Sequence, residues 1–136
     1  MPKSSRGGRG RNKSTQGKQQ VGKLSARVIS LLGLSQKQDQ AILLGASNIA
    51  HMQTSHPADY QKYGKYIPQI LSKPDYVGQN TTDGSIEYVK EFKVDNDFVK
   101  VAVRISGGGQ LYARSIYVLK PSRVQNFINA GTLKKY

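Results

Sequence analysis

Two histidines, His51 and His56, stand in the stretch Asn48-Ile-Ala-His-Met-Gln-Thr-Ser-His56-Pro57, and the chain has no others. Imidazole changes charge near neutrality without help, which makes either ring a candidate for proton transfer. Five residues turn a helix by about 140°, so the two rings do not share a helical face as metal ligands at i and i+4 do. There is no cysteine, and the nearest acids are Asp39 and Asp59, so no metal site or other cofactor is expected. His56 precedes Pro57 and reads as a helix-junction residue. His51, one turn inside its helix, is the better candidate for acid–base work.

The cations that would accompany such chemistry lie on strand-like segments. Residues 85–94 alternate, with Ile86, Tyr88, Lys90, Phe92 and Val94 on one face and Ser85, Glu87, Val89, Glu91 and Lys93 on the other. Lys90 therefore interrupts an apolar row, where burying its charge is costly. It either snorkels to the sheet edge or stands on a concave face to meet a phosphate. In 98–105, Lys100 and Arg104 share a face with Phe98 and Ala102. In 110–119, Leu111, Ala113, Ser115, Tyr117 and Leu119 oppose Tyr112, Arg114, Ile116 and Val118. Both sides are mixed, so either Arg114 or the Ser115/Tyr117 pair faces a cleft. Glu87 and Glu91 give only a weak signal for paired carboxylates, beside lysine on the less apolar face. Neither a Gly-x-x-x-x-Gly-Lys-Ser/Thr phosphate loop nor a Gly-x-Ser-x-Gly elbow is present.

These residues need a scaffold, and the pattern supplies an α+β one. Leu24, Val28, Leu31 and Leu32 recur at helical spacing and Gly33 can close that helix. Ala41–Leu44 reads as a short strand or buried segment. A helix capped by Ser47 or Asn48 follows, then one opened by Pro57 and carrying Tyr60, Tyr63, Ile67, Ile70 and Leu71, which Pro68 kinks or splits. Three strands of an antiparallel meander come next. The turn Asp95–Asp97 joins the first pair, and the hairpin Ser106–Gly109 joins the second. A helix opened by Pro121 ends the chain. The expected architecture is N-terminal helices, a meander of three to four strands and a short C-terminal helix.

Composition bounds the partners. Of 136 residues, 21 are Lys or Arg and 8 are Asp or Glu, a net charge of +13. Residues 1–23 hold seven basic side chains, four glycines before position 18 and no acid. Such a stretch buries too little apolar surface to offset the entropy of ordering it, so 1–23 is read as a disordered Arg/Gly-rich tail and 24–136 as the domain. Lys3, Arg6, Arg9, Arg11 and Lys13 of the tail, with Lys100 of the domain, are the candidate phosphate-binding residues. No stretch of 18 apolar residues spans a membrane, and no apolar core follows Met1–Arg6 as in a secretory signal. A cytoplasmic or virion-packaged location is expected.

His51-Met-Gln-Thr-Ser-His56-Pro, Ser72-Lys-Pro-Asp-Tyr-Val-Gly78, Ser85-Ile-Glu-Tyr-Val-Lys90, Val101-Ala-Val-Arg104 and Tyr112-Ala-Arg-Ser-Ile-Tyr117, in this order, resemble the phage-encoded PBECR nuclease domains. These belong to the barnase–EndoU–colicin–RelE-like (BECR) superfamily, and the resemblance runs from about Val21 to Tyr136. It implies a sheet with the active site on its concave face, and metal-independent RNA cleavage by a phage, mobile-element or toxin protein. The motif positions carry the catalytic roles onto His51, Lys90, Arg104, Arg114, Ser115 and Tyr117, with His56 as the second imidazole. RNA, tRNA among the candidates, is the expected substrate, and a cognate inhibitor or immunity protein is a further expected partner. Two alternatives compete: a nucleic-acid-binding or inhibitor module without catalysis, and a packaged phage component whose tail touches the genome.

Overall fold

The computed structural model describes residues 18–136. The expected disorder of residues 1–17, and the candidate phosphate contacts Lys3, Arg6, Arg9, Arg11 and Lys13, fall outside the described residues. The elements run β1 (Gln19–Lys23), α1 (Ala26–Leu32), β2 (Ala41–Leu44), α2 (Ala46–Ser55), α3 (Pro57–Tyr63), a 3₁₀ turn (Gly64–Tyr66) and α4 (Ile67–Ser72). Then come β3 (Tyr76–Gln79), β4 (Ile86–Phe92), β5 (Asp97–Ile105), β6 (Leu111–Leu119), α5 (Pro121–Asn129) and β7 (Leu133–Lys135). The strands form one sheet of order β1-β2-β6-β5-β4-β3-β7. All neighbours are antiparallel except β2 and β6, which pair in parallel through Ile42–Leu111 and Leu43–Tyr112.

The α+β class holds, while the expected order of elements does not. Among the described residues the first element is a strand, and seven strands replace the three or four of the expected meander. Gln19–Lys23, assigned to the tail by its composition, is an edge strand paired with Ala41–Leu44. Only Val21 of that strand and only Leu133 of β7 are buried. Edge strands this polar are ordered by backbone pairing rather than by an apolar row, so alternation does not reveal them.

Local chemistry sets most helix ends. Ser25 accepts the Val28 N–H at 3.1 Å to open α1, and Gly33 closes it with a left-handed φ of 65°. Asn48 reaches back to accept the Gly45 N–H at 2.8 Å at the start of α2. Pro57 opens α3, and Pro68 splits the following helical stretch, placing α4 after a 3₁₀ turn.

The two faces of the sheet differ. One carries Ile86, Tyr88, Val99, Val101, Val103, Leu111, Ala113 and Ile116, all fully buried beneath Val28, Met52, Tyr63, Ile67 and Ile70 of the first four helices. The other has a smaller cluster, Val89, Leu119, Val124 and Leu133, with Phe98, Tyr117 and Phe127 packed around it. α5 therefore roofs one end of that second face and leaves the rest open. Among the described residues, no helix is long and apolar enough to cross a membrane.

Candidate active site

The open part of the second face is assembled by cross-strand register. Two rows cross β4, β5 and β6, Val89–Lys100–Tyr117 and then Glu87–Ala102–Ser115, and a third joins β5 and β6 with Arg104 opposite Tyr112. Ala102, the smallest side chain, sits at the centre. The step down to it from its larger polar neighbours marks a candidate hollow on this face.

Register also resolves the mixed faces of β6. Ala102 pairs with Ser115 but Val103 pairs with Ala113, so Arg114 is an extra residue in the strand. A bulge of this kind changes the side-chain parity on either side of it. Leu111, Ala113 and Ile116 accordingly all enter the core, while Tyr112, Ser115 and Tyr117 share the open face. Strict alternation put Tyr112 opposite Ser115, and that expectation is corrected here.

An ion pair anchors the hollow. Lys100 Nζ lies 2.8 Å from Glu87 Oε2, with side-chain exposures of 9% and 16%, too enclosed for the pair to count as a solvated surface contact. The ammonium also stands 4.8 Å from the centroid of the Tyr117 ring. Burial works against the charge on Lys100, but the hydrogen bonds and charge of Glu87 and the Tyr117 hydroxyl outweigh it and hold Lys100 above the ordinary lysine value. The His56 ring stacks on Tyr117 at 4.8 Å between centroids and 24° between planes.

His56 reaches this position because of its neighbours in the chain. Proline disfavours helical geometry in the residue before it, and His56 adopts φ −142° and ψ 67°, ending α2 and starting α3. β2 covers β6 only at Leu111 and Tyr112, so the edge of β6 beyond them is free for the helices. Asp59 in the first turn of α3 accepts the Val118 N–H at 3.1 Å and docks the α2–α3 corner beside Tyr117.

Of the residues singled out in the sequence, the structure brings together His56, Lys100, Tyr117 and Ser115, with Arg104 in the next row and Arg114 in the bulge between. It does not bring in Lys90, which belongs to the core-face row of β4 and donates to the Lys73 carbonyl at 2.8 Å. That is the snorkelling alternative: the long stem covers apolar surface and the ammonium satisfies the end of α4. His51 is exposed on α2 and makes no hydrogen bond or ring contact among the described residues. Of the two imidazoles, the docking of the helix corner brings His56 to the sheet and leaves the expected His51 away from it.

Sequence reasoning passed over Glu87 as a partner for this group. Its usable signal was the placement of Glu87 and Lys100 on one face of adjacent strands, which needed the register. Among the described residues no cluster of three or more His, Asp or Glu side chains is arranged to hold a metal ion.

The sequence profile of the family described as phage-Barnase-EndoU-ColicinE5/D-RelE like nuclease3 matches residues 18–126. The chain belongs to this PBECR nuclease family. The matched span runs from Lys18, just before β1, into α5, and so includes every residue of the hollow. No curated protein and no solved structure matches the chain. Membership in the PBECR family accords with the α+β fold, and it makes a nuclease the activity to test at the Glu87–Lys100–Tyr117–His56 group.

Proposed function

We propose that this PBECR domain is a metal-independent endoribonuclease that cleaves RNA through attack of the 2′-hydroxyl on the adjacent phosphorus. RNA carries its own nucleophile, so the protein has to supply a proton acceptor, a proton donor and positive charge for the phosphorane. Glu87 and the His56/Tyr117 stack flank the hollow from β4 and β6, two strand spacings or roughly 10 Å apart. In this reading Glu87 takes the 2′-hydroxyl proton as the 2′-O–P bond forms. His56 gives a proton to the 5′-oxygen as the P–O5′ bond breaks. The products are a 2′,3′-cyclic phosphate and a free 5′-hydroxyl.

Lys100 and Arg104, with Arg114 beside them, neutralise the charge that builds on the non-bridging oxygens, and Ser115 and Tyr117 donate hydrogen bonds to the phosphate. Lys100 is held charged by its pairing with Glu87 and keeps further N–H donors for the phosphate. Lys18, the first described residue, donates to the Tyr112 hydroxyl at 3.2 Å beside the same face. Phosphates beyond the scissile one are assigned to the basic tail, which makes binding salt-dependent.

The observation that carries this reading is the chain of contacts joining an imidazole, a phenol and an enclosed carboxylate–ammonium pair on one face of the sheet. The test is incubation with end-labelled RNA in EDTA and analysis of the product ends. Cyclic phosphate ends are expected, with losses of about 10²–10⁴ in rate for His56→Ala and Glu87→Gln. Cleavage that is unchanged in both variants removes the proposal. Tight, salt-steep RNA binding without any product would instead favour the non-catalytic binding module, which the +13 charge also suits.

A further inference from the structure

Beside the hollow, a cavity of about 160 Å³ lies between the turn that follows β3 and the loop that follows α5. Glu87 lines it, so the cavity adjoins the proposed cleavage site. It opens towards a broader depression of about 510 Å³ that shares Gln79, Asn80, Thr81 and Thr132 with it.

The walls have the chemistry of a heterocycle site rather than of a phosphate site. Phe127 offers a half-buried aromatic ring, with the Arg123 guanidinium 5.4 Å from its centroid. Asn80 brings a primary amide to the same cavity. It spends its carbonyl oxygen on the Thr82 and Asp83 N–H groups, at 2.7 and 3.2 Å, and points one N–H at Glu87 Oε2 over 3.4 Å. Among the described residues its second N–H has no partner. An amide N–H matches an acceptor on the edge of an unpaired base, and an aromatic wall matches its face. The smaller cavity is lined by no Lys or Arg. Phosphate belongs instead with Lys100 and Arg104.

Gly78 makes the site possible. A Cβ there would lie 2.2 Å from the Thr132 carbonyl oxygen, so only glycine lets the loop after α5 approach β3 this closely.

We propose that this cavity is a nucleobase subsite, in which Phe127 stacks one unpaired base of the RNA and Asn80 reads its edge. The inference rests on the ribonuclease reading above. Glu87 lies at the mouth, so the bound base is that of the nucleotide whose 2′-hydroxyl Glu87 activates, immediately 5′ of the cut. The enzyme should therefore prefer one base class at that position and tolerate any base on the 3′ side.

The experiment is cleavage of a randomised RNA pool in EDTA, with sequencing of the new ends, by the full chain, by Phe127→Ala and by Asn80→Ser. The serine keeps an oxygen for the turn, so this variant folds even if loss of the Phe127 ring loosens α5. The full chain should show a skewed base composition 5′ of the cut. Both variants should flatten it, with KM raised about ten- to a hundredfold by the loss of stacking in Phe127→Ala and kcat little changed. Cleavage with no skew, or with a skew that folded Asn80→Ser preserves, overturns the subsite and leaves the ribonuclease reading intact. Should the full chain cut no RNA, that reading falls alone. The subsite is then decided by calorimetry with nucleoside 3′-monophosphates against ribose 5-phosphate. Tighter binding of a nucleotide that Phe127→Ala abolishes upholds the subsite, and equal binding of all of them overturns it.

Discussion

β4, β5 and β6 present two surfaces made from the same residues in alternation, and the two differ in almost every respect. Towards the four leading helices they offer fully buried valines and isoleucines. Towards the open side they offer Glu87, Lys100, Arg104, Ser115 and Tyr117 around Ala102. One face holds the sheet in place, and the other is free to spend its side chains on a ligand. A residue's strand position therefore says less about its role than the face it occupies, as Lys90 and Lys100 show. Both are strand lysines with close partners, yet one caps a helix end and the other sits in the candidate site.

Substitutions on the two faces should separate activity from stability. His56→Ala removes about 3–5 kcal/mol of barrier lowering, read as cleavage rate, while its melting temperature stays within a few degrees of the parent. Ile116→Ala, next to Ser115 along β6 but facing the core, should cost about 2–5 kcal/mol of unfolding free energy. Its rate per folded molecule should be unchanged. A matched loss of both properties in each variant would dissolve the distinction between the faces.

Gly78→Ala sharpens the comparison, because it strikes the seam where the loop after α5 meets the open face. The new Cβ forces the Thr132 main chain to move, so about 1–3 kcal/mol of stability should go, as denaturant melts will register. Cleavage should lose base preference along with it.

The Glu87–Lys100 pair can be tested by pH. The folded value of Lys100 is raised above its ordinary one, so its stabilising contribution is complete below the unfolded value of about 10.4. It is lost as pH rises through the higher folded value. Stability of the parent should therefore fall more steeply at alkaline pH than that of the double variant Lys100→Met/Glu87→Gln. Equal slopes would show that the pair adds nothing to folding.

The smallest effect belongs to Lys90→Met. Losing one exposed hydrogen bond to the Lys73 carbonyl should cost under about 1 kcal/mol and leave cleavage untouched. A large loss of rate would return Lys90 to the catalytic group.

Much of the scaffold was legible in the sequence. The hairpin at Ser106–Gly109, the helix starts at Pro57 and Pro121, the Gly33 cap and the three central strands all follow from local turn and capping chemistry. β1 and β7 were not legible, since each buries a single side chain and takes its order from a partner distant in sequence. The site divides in the same way. Lys100, Arg104, Ser115 and Tyr117 were identifiable as polar residues on strands, and His56 as a junction residue.

Residue types, strand alternation and proline positions thus determined which side chains this protein has available for chemistry, because those properties are local. Tertiary structure decided which of them meet. The bulge at Arg114, the docking of Asp59 on the free edge of β6 and the pairing of Glu87 with Lys100 each join residues far apart along the chain. Such contacts are set by long-range register and packing, and no short window of sequence contains them.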